Sequence, residues 1–377
     1  MRALLITSVK NEASFLLEWL AHHRTVGFTD ILVFSNDCSD GTDLMLDRLQ
    51  AMGLVTHVRN PGPHDRDGTH KGPQWAALHA ADRHPLMKVA DWVLFADVDE
   101  FVNIHVGDRR LPALLRALPD ASAIALTWRL FGNDGVRAYE DRPVTEIFTR
   151  AAPRTLHWPW RAQLFKTLFR NDGSWRKLGV HRPRNPAPAA SPRWFDGSGR
   201  DVTGFLAAQR IYTNYTQDNY QLVQLNHYPL QSMAAYLVKC DRGRANREAE
   251  PLDMSYWVER NFSDEQDLSI AALDSAAARA ALLADAGLAD ERLADAGLAD
   301  AGLAGAGLAG AGLAGLHRQA VAWRQARFAA LMGDESWRAL FGRLLMCPPA
   351  RVLGGEDRAA ILAYLPDAAR RIRLSDA

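Results

Sequence analysis

The chain has 377 residues, 48% of them hydrophobic and 23% charged, with 44 Lys+Arg against 44 Asp+Glu. This excludes disorder along the whole length, and a net charge of zero gives no long-range field to gather DNA, RNA or an anionic membrane. Cys38, Cys240 and Cys347 are too few and too scattered for a disulfide framework or a Cys-rich zinc site, which points to a reducing, cytoplasmic compartment.

Residues 2–9 read as a strand rather than a signal peptide, because the short apolar run meets Lys10, Asn11 and Glu12 without a small-residue cleavage site. Residues 12–26 carry Phe15, Leu16, Trp19, Leu20 and Val26 at helical spacing and stop at Gly27. Residues 30–35 predict a second buried strand, 36–41 a turn, Thr42 to Met52 a helix closed by Gly53, and Val55 to Val58 a third strand. A loop from Asn60 to Gly72 leads to a helix over Gln74 to Arg83 and a fourth strand over Asp91 to Ala96. This alternation predicts an α/β fold with a mostly parallel sheet flanked by helices.

Strands are expected at Ala123 to Trp128, Glu146 to Thr149 and Tyr220 to Tyr228, with a helix from Ser232 to Arg242. Pro153 to Pro192 is rich in Trp, Arg and Pro and shows few clear periods. Residues 1–245 are therefore read as one α/β unit and 246–377 as an Ala-rich helical extension. A tract over 284–316 repeats every five residues, with Leu288, Leu293, Leu298, Leu303, Leu308 and Leu313 evenly spaced. Each step of five turns an α-helix by about 140°, so no single face collects these leucines, and the expectation is a low-complexity insertion. Ala301 to Leu316 is the longest uncharged stretch and is too short and Gly-rich to span a bilayer, so no transmembrane segment is expected.

Asp97-Val98-Asp99-Glu100 directly follows the fourth strand, where the chain leaves the carboxyl edge of the sheet, the edge at which open α/β sheets bind ligands. Three carboxylates within four residues repel one another unless something positive joins them, and a divalent cation with a diphosphate is the natural partner. Lys10-Asn11-Glu12 and Asn36-Asp37 leave the same edge after the first and second strands, outlining a nucleotide pocket.

Taken with Glu18-Trp19-Leu20-Ala21-His22-His23, Asn36-Asp37-Cys38-Ser39-Asp40-Gly41-Thr42 and Asp97-Val98-Asp99-Glu100-Phe101, the chain resembles the bacterial glycosyltransferase family 2 proteins of the GT-A fold. The resemblance is specific over residues 1 to about 105 and plausible to about 245. It implies a nucleotide-sugar half over 1–105 and an acceptor half over 106–245. It also implies a metal-dependent transfer from a nucleoside diphosphate sugar to a glycan, lipid-linked or protein acceptor, in the cytoplasm or at the inner face of its membrane. Glu12 and Asp37 would contact base and ribose, and Asp97 and Asp99 would hold Mn²⁺ or Mg²⁺ against the diphosphate. His227, at a strand end, is the expected third metal ligand.

Asp134 is the expected catalytic base, ahead of Glu140 and Asp141; Lys71, beside His70, could reach the diphosphate. His181 and Arg182 could face phosphate or acceptor, and the segment Thr155 to Trp175 could stack on a sugar acceptor. Glu18 and His22, one turn apart, are read as scaffold joined by a hydrogen bond. The rivals are a nucleotidyltransferase or sugar-phosphate enzyme, which would show a Gly-rich phosphate loop absent between Thr7 and Glu12, and a non-catalytic scaffold with a transferase-like fold.

Overall fold

A computed structural model describes residues 1–62, 72–243, 252–285 and 311–364. Strands β1 (Ala3–Val9), β2 (Asp30–Ser35), β3 (Thr56–Arg59) and β4 (Trp92–Phe95) lie parallel in the order β3–β2–β1–β4. The apolar runs of β1, β2 and β4 are buried on both faces of the sheet, which is what helix-covered parallel strands require, while β3 is the part-exposed edge. Helix α1 (Ala13–Val26) ends at Gly27, whose φ of 113° lets its amide close on the carbonyls of His23 and Arg24. Helices α2 (Thr42–Ala51) and α3 (Pro73–Ala81) make the next crossovers. The expected α/β architecture is therefore present.

The sheet continues through β5 (Glu100–Ile104), β6 (Ala123–Leu130), β7 (Phe165–Arg170), β8 (Trp194–Asp196) and β9 (Val223–His227). Beyond β4 the order is β7–β6–β9–β5, with β8 beside β6. Strand β7 runs antiparallel between β4 and β6, and β5 runs antiparallel to β9. Both reversed strands therefore begin at the edge where the parallel strands end.

Two expectations for this half are corrected. Pro153 to Pro192, which shows little period, contains the central strand β7; its Lys166 is 0% exposed, and a lysine in mid-run disguises a strand buried on both faces. Glu146 to Thr149 is no strand: Val144–Ile147 form one helical turn, followed by a short strand at Arg150–Ala151. Glu18 sets this turn by accepting from the amides of Val144 (2.8 Å) and Thr145 (3.1 Å), so its partner is not His22.

His22 instead places Nε2 2.8 Å from the carbonyl oxygen of Val102. Burial lowers its pKa to about 4 from an ordinary value of 6.5. The unfolded chain therefore binds the extra proton first, and stability tied to neutral His22 is complete above pH 6.5 and lost between pH 6.5 and 4. The loss amounts to roughly 3 kcal/mol. Thermal midpoints measured from pH 7 to 4.5 should fall less steeply for His22→Gln, whose amide can still donate to Val102; equal slopes would refute the assignment.

Helix α4 (Met233–Arg242) follows β9, with Ser232 capping it by accepting from the amide of Ala235. Helix α5 (Leu313–Leu331) begins within the stretch expected to be low-complexity insertion, and Leu313, Leu316 and Ala320 enter the main core. It packs against α1, α2 and α4. Asp285 takes a bidentate contact from Arg48 of α2 (2.8 and 3.0 Å) and accepts from the Leu313 amide (3.1 Å). The rest of the tract, residues 286–310, lies outside the described residues. Helix α6 (Glu335–Met346) packs beside α4 through Leu344, next to Tyr236 and Trp257. Among the described residues no helix is long and apolar enough to cross a membrane.

Candidate active site

Asp97-Val98-Asp99-Glu100 forms the turn from β4 into β5 at the carboxyl edge. Its backbone is tied down on three sides. The Trp19 indole donates to the carbonyls of Asp97 (3.1 Å) and Glu100 (3.0 Å), the Tyr228 amide donates to the Asp99 carbonyl (2.9 Å), and the Asp97 amide donates to Glu100 Oε2 (2.9 Å). Val98 and Glu100 are buried, while Asp97 and Asp99 are part-exposed and line a cavity of about 220 Å³. A turn fixed this way presents its carboxylates without reorganising.

Each carboxylate meets a cation from another element. Asp97 accepts from Lys166 Nζ on β7 (2.9 Å) and from Gln74 Nε2 on α3 (3.0 Å). Glu100, also 3.6 Å from Lys166, accepts at 2.6 Å from the Trp128 indole. Burial pushes the Glu100 carboxyl up to about 8, with Lys166 pulling it down. Burial works against the Lys166 charge, but Asp97 and Glu100 more than compensate and hold its pKa above the ordinary value.

Asp99 accepts from Lys239 Nζ on α4 (2.7 Å); burial opposes its charge, yet Lys239 and His227 hold it well below the usual carboxylate range. Glu12, at the start of α1, is ion-paired with Arg242 of α4, which also donates to the Lys10 carbonyl (2.6 Å). Lys10, Lys166, Lys239, Arg242 and Arg260 line the cavity against Glu12, Asp97 and Asp99, so a chain of zero net charge keeps a cationic pocket.

The metal expectation divides. Asp99 Oδ1 and His227 Nε2 are 3.7 Å apart, too far for a hydrogen bond and near the roughly 3 Å between adjacent ligands of one hard cation. Burial lowers the His227 pKa, against Asp99, which favours the neutral imidazole that metals bind, and its buried Nδ1 has no hydrogen-bond partner among the described residues. Both oxygens of Asp97 are already engaged, and among the described residues no three His, Cys, Asp or Glu side chains converge on one point. The donors therefore suit a cation held by Asp99 and His227 with its other positions open, rather than a three-ligand cage that includes Asp97.

Other expected site residues lie elsewhere. Asp134 is exposed on the turn after β6, 3.9 Å from Arg150, and is not among the residues lining the cleft. Glu140 is exposed beside Arg142, and Asp141 contacts His317 of α5 (2.7 Å). Asp37 is exposed, accepts from the Gly62 amide (3.2 Å) and does not line the cleft. His70 and Lys71 lie outside the described residues.

His181 does line the cleft: its Nδ1 is 3.0 Å from the Phe165 carbonyl oxygen, which places the proton there and leaves Nε2 an acceptor. Burial lowers the His181 pKa to about 4. Arg182 is spent on the carbonyls of Leu206 and Arg210 (both 2.9 Å). Of the segment Thr155 to Trp175, Lys166 alone among the described residues lines the cleft, and Arg170 sits over Trp92 instead.

The sequence reading misses Gln74 and Arg242, gives Lys239 no role, and places Lys166 only in the segment expected to stack on and hydrogen-bond a sugar acceptor. A usable signal was the spacing of Lys239 and Arg242, which puts two cations on one face of a helix that follows a strand end.

Residues 6–189 match the family model for Glycosyltransferase family 92. A glycosyltransferase family 92 protein of Oryza sativa subsp. japonica is 26% identical over 147 residues, covering 38% of this chain and 24% of the relative. One from Ricinus communis is 26% identical over 157 residues, covering 38% and 25%. The chain thus spans about a quarter of the length of the curated relatives it matches. Among solved structures, S. aureus TarS 1-349 in complex with UDP is 16% identical over 63% of this chain and 55% of that one, with a TM-score of 0.27. The family 2 resemblance is overturned: its motifs, from Lys10-Asn11-Glu12 to Asp97-Val98-Asp99-Glu100, fall inside the family 92 match. Both are families of glycosyltransferases.

Proposed function

We propose that this chain is a glycosyltransferase that moves a sugar from a nucleoside diphosphate donor to a hydroxyl of a glycan, lipid-linked or protein acceptor. The family 92 match supports the class of enzyme. The observation that supports the donor is the cationic cleft at the carboxyl edge, where Lys166, Lys239 and Arg242 converge on the Asp97 to Glu100 turn. As the sugar leaves, negative charge grows on the departing diphosphate. Fixed ammonium and guanidinium groups in a low-dielectric wall stabilise that charge more than water would.

Mn²⁺ or Mg²⁺ held by Asp99 and His227 would act on the same oxygens as a Lewis acid. The chain's own part is to hold the pocket in shape before the donor arrives. Trp19 and Tyr228 fix the turn, Lys166 keeps Asp97 and Glu100 together, and the Glu12–Arg242 pair closes the wall between α1 and α4.

The test is a panel of UDP and GDP sugars with Mn²⁺ or Mg²⁺, scored by nucleoside diphosphate release and by thermal midpoint. At a hundred times its dissociation constant the right donor adds about 2.7 kcal/mol, roughly 3 °C for a chain of this length, and turns over. Should no member of the panel shift the midpoint or be hydrolysed, the donor reading fails and a non-catalytic scaffold takes its place.

A further inference from the structure

We infer that Arg324, on the helix that follows the Ala/Gly/Leu tract, is a positioning residue for the donor cleft and makes α5 part of that site. The inference rests on the donor reading above. Arg324 lies in α5, is 4% exposed and has no ion-paired carboxylate among the described residues. Its Nε donates to Ser14 Oγ (2.8 Å), its Nη2 donates to the Asn11 carbonyl (3.3 Å), and its guanidinium lies 4.4 Å from the Phe15 ring centroid. A buried guanidinium without a counter-ion is unfavourable, and shape alone would be served by an unbranched apolar side chain stacked on Phe15.

What the guanidinium provides is a grip on the Lys10-Asn11-Glu12 turn. Asn11 has a φ of 54°, in the left-handed region that is uncommon outside glycine, so the turn needs support from its surroundings. Two arginines hold consecutive carbonyls of it: Arg242 takes Lys10 from the cleft side, and Arg324 takes Asn11 from behind. Three residues further along α5, Arg327 clasps Asp241 of α4 with two contacts (2.6 and 2.7 Å). Helix α5 therefore holds both elements that supply the Glu12–Arg242 pair, the turn through Arg324 and α4 through Arg327. A small cavity is lined by Arg324 together with Glu12, Asp99, Lys239 and Arg242, all four of which also line the cleft, so the arginine stands behind the cleft wall.

Full-length Arg324→Met and Arg324→Lys, assayed with the donor found for the wild-type chain, test the role. Arg324→Met should raise the donor KM on the order of tenfold with kcat changed less than threefold. Arg324→Lys, which keeps a charge and can reach one of the two acceptors, should raise KM about three- to fivefold. A lower thermal midpoint with KM within twofold of wild type for both variants would make Arg324 merely structural and overturn the inference. If the methionine variant does not fold, the lysine variant decides by the same twofold criterion. Absence of turnover in the wild-type chain is a failure of the donor reading instead, and is seen before any variant is made.

Discussion

Asp99→Asn should lower kcat for sugar transfer on the order of 10²- to 10³-fold while leaving the donor KM unchanged or lower. Asparagine keeps the shape of the side chain, and the backbone anchor from the Tyr228 amide to the Asp99 carbonyl does not depend on the side chain. The charge is what disappears. Lys239, 2.7 Å from the Asp99 carboxylate, then has no counter-charge there and is free to hold an anionic donor more tightly in its ground state. At the same time His227 loses the oxygen that faces it at 3.7 Å, and with it the pair that fits a hard cation. Tighter ground-state binding with slower chemistry separates this role from general loss of folding, which would remove active protein without moving KM. Initial rates of nucleoside diphosphate release over a donor titration measure both constants. A kcat within tenfold of wild type would take Asp99 out of the machinery.

The parallel half of the sheet was legible because each strand is a short apolar run ended by a strong stop signal, and Gly27 sits at φ 113° as a helix terminator should. The placing of Asp97 and Asp99 at the carboxyl edge followed from that alternation. Their partners were hidden. Lys166 is 69 residues from Asp97 in sequence, and a lysine is a poor sign of a buried strand until the carboxylates that neutralise it are known. Asp134 was favoured because it follows a strand near the expected cleft, but β6 ends in a turn that carries it to the surface beside Arg150. The period of five argues against one apolar helical face over the tract, whose residues 286–310 lie outside the described ones, yet its last evenly spaced leucine, Leu313, opens α5 and is fully buried. The quoted motifs place polar groups at the carboxyl edge of the sheet, and that alone does not separate family 2 from family 92.

The largest stability effect is expected at Lys166. Its side chain is 0% exposed and lies 2.9 Å from Asp97 and 3.6 Å from Glu100, so Lys166→Met strips the cation from a part-exposed Asp97 and a fully buried Glu100. Removing one partner of a buried ion pair costs about 3 to 5 kcal/mol. Glu100 is the member that suffers most, since burial already drives its pKa up to about 8 with Lys166 present. Adding Glu100→Gln removes a carboxyl that must take up a proton to fold at neutral pH, while an amide oxygen can still accept from the Trp128 indole, 2.6 Å from the carboxylate in the parent chain. The double variant should therefore recover roughly half of the lost stability in urea unfolding, yet regain none of the activity, because the ammonium group that would face the diphosphate is still missing. Stability restored without activity assigns Lys166 both tasks, holding the turn together and stabilising the leaving group. A double variant no more stable than Lys166→Met alone would mean that the buried Glu100 carboxyl is not the source of the loss, and that packing of the lysine methylenes in β7 carries the effect.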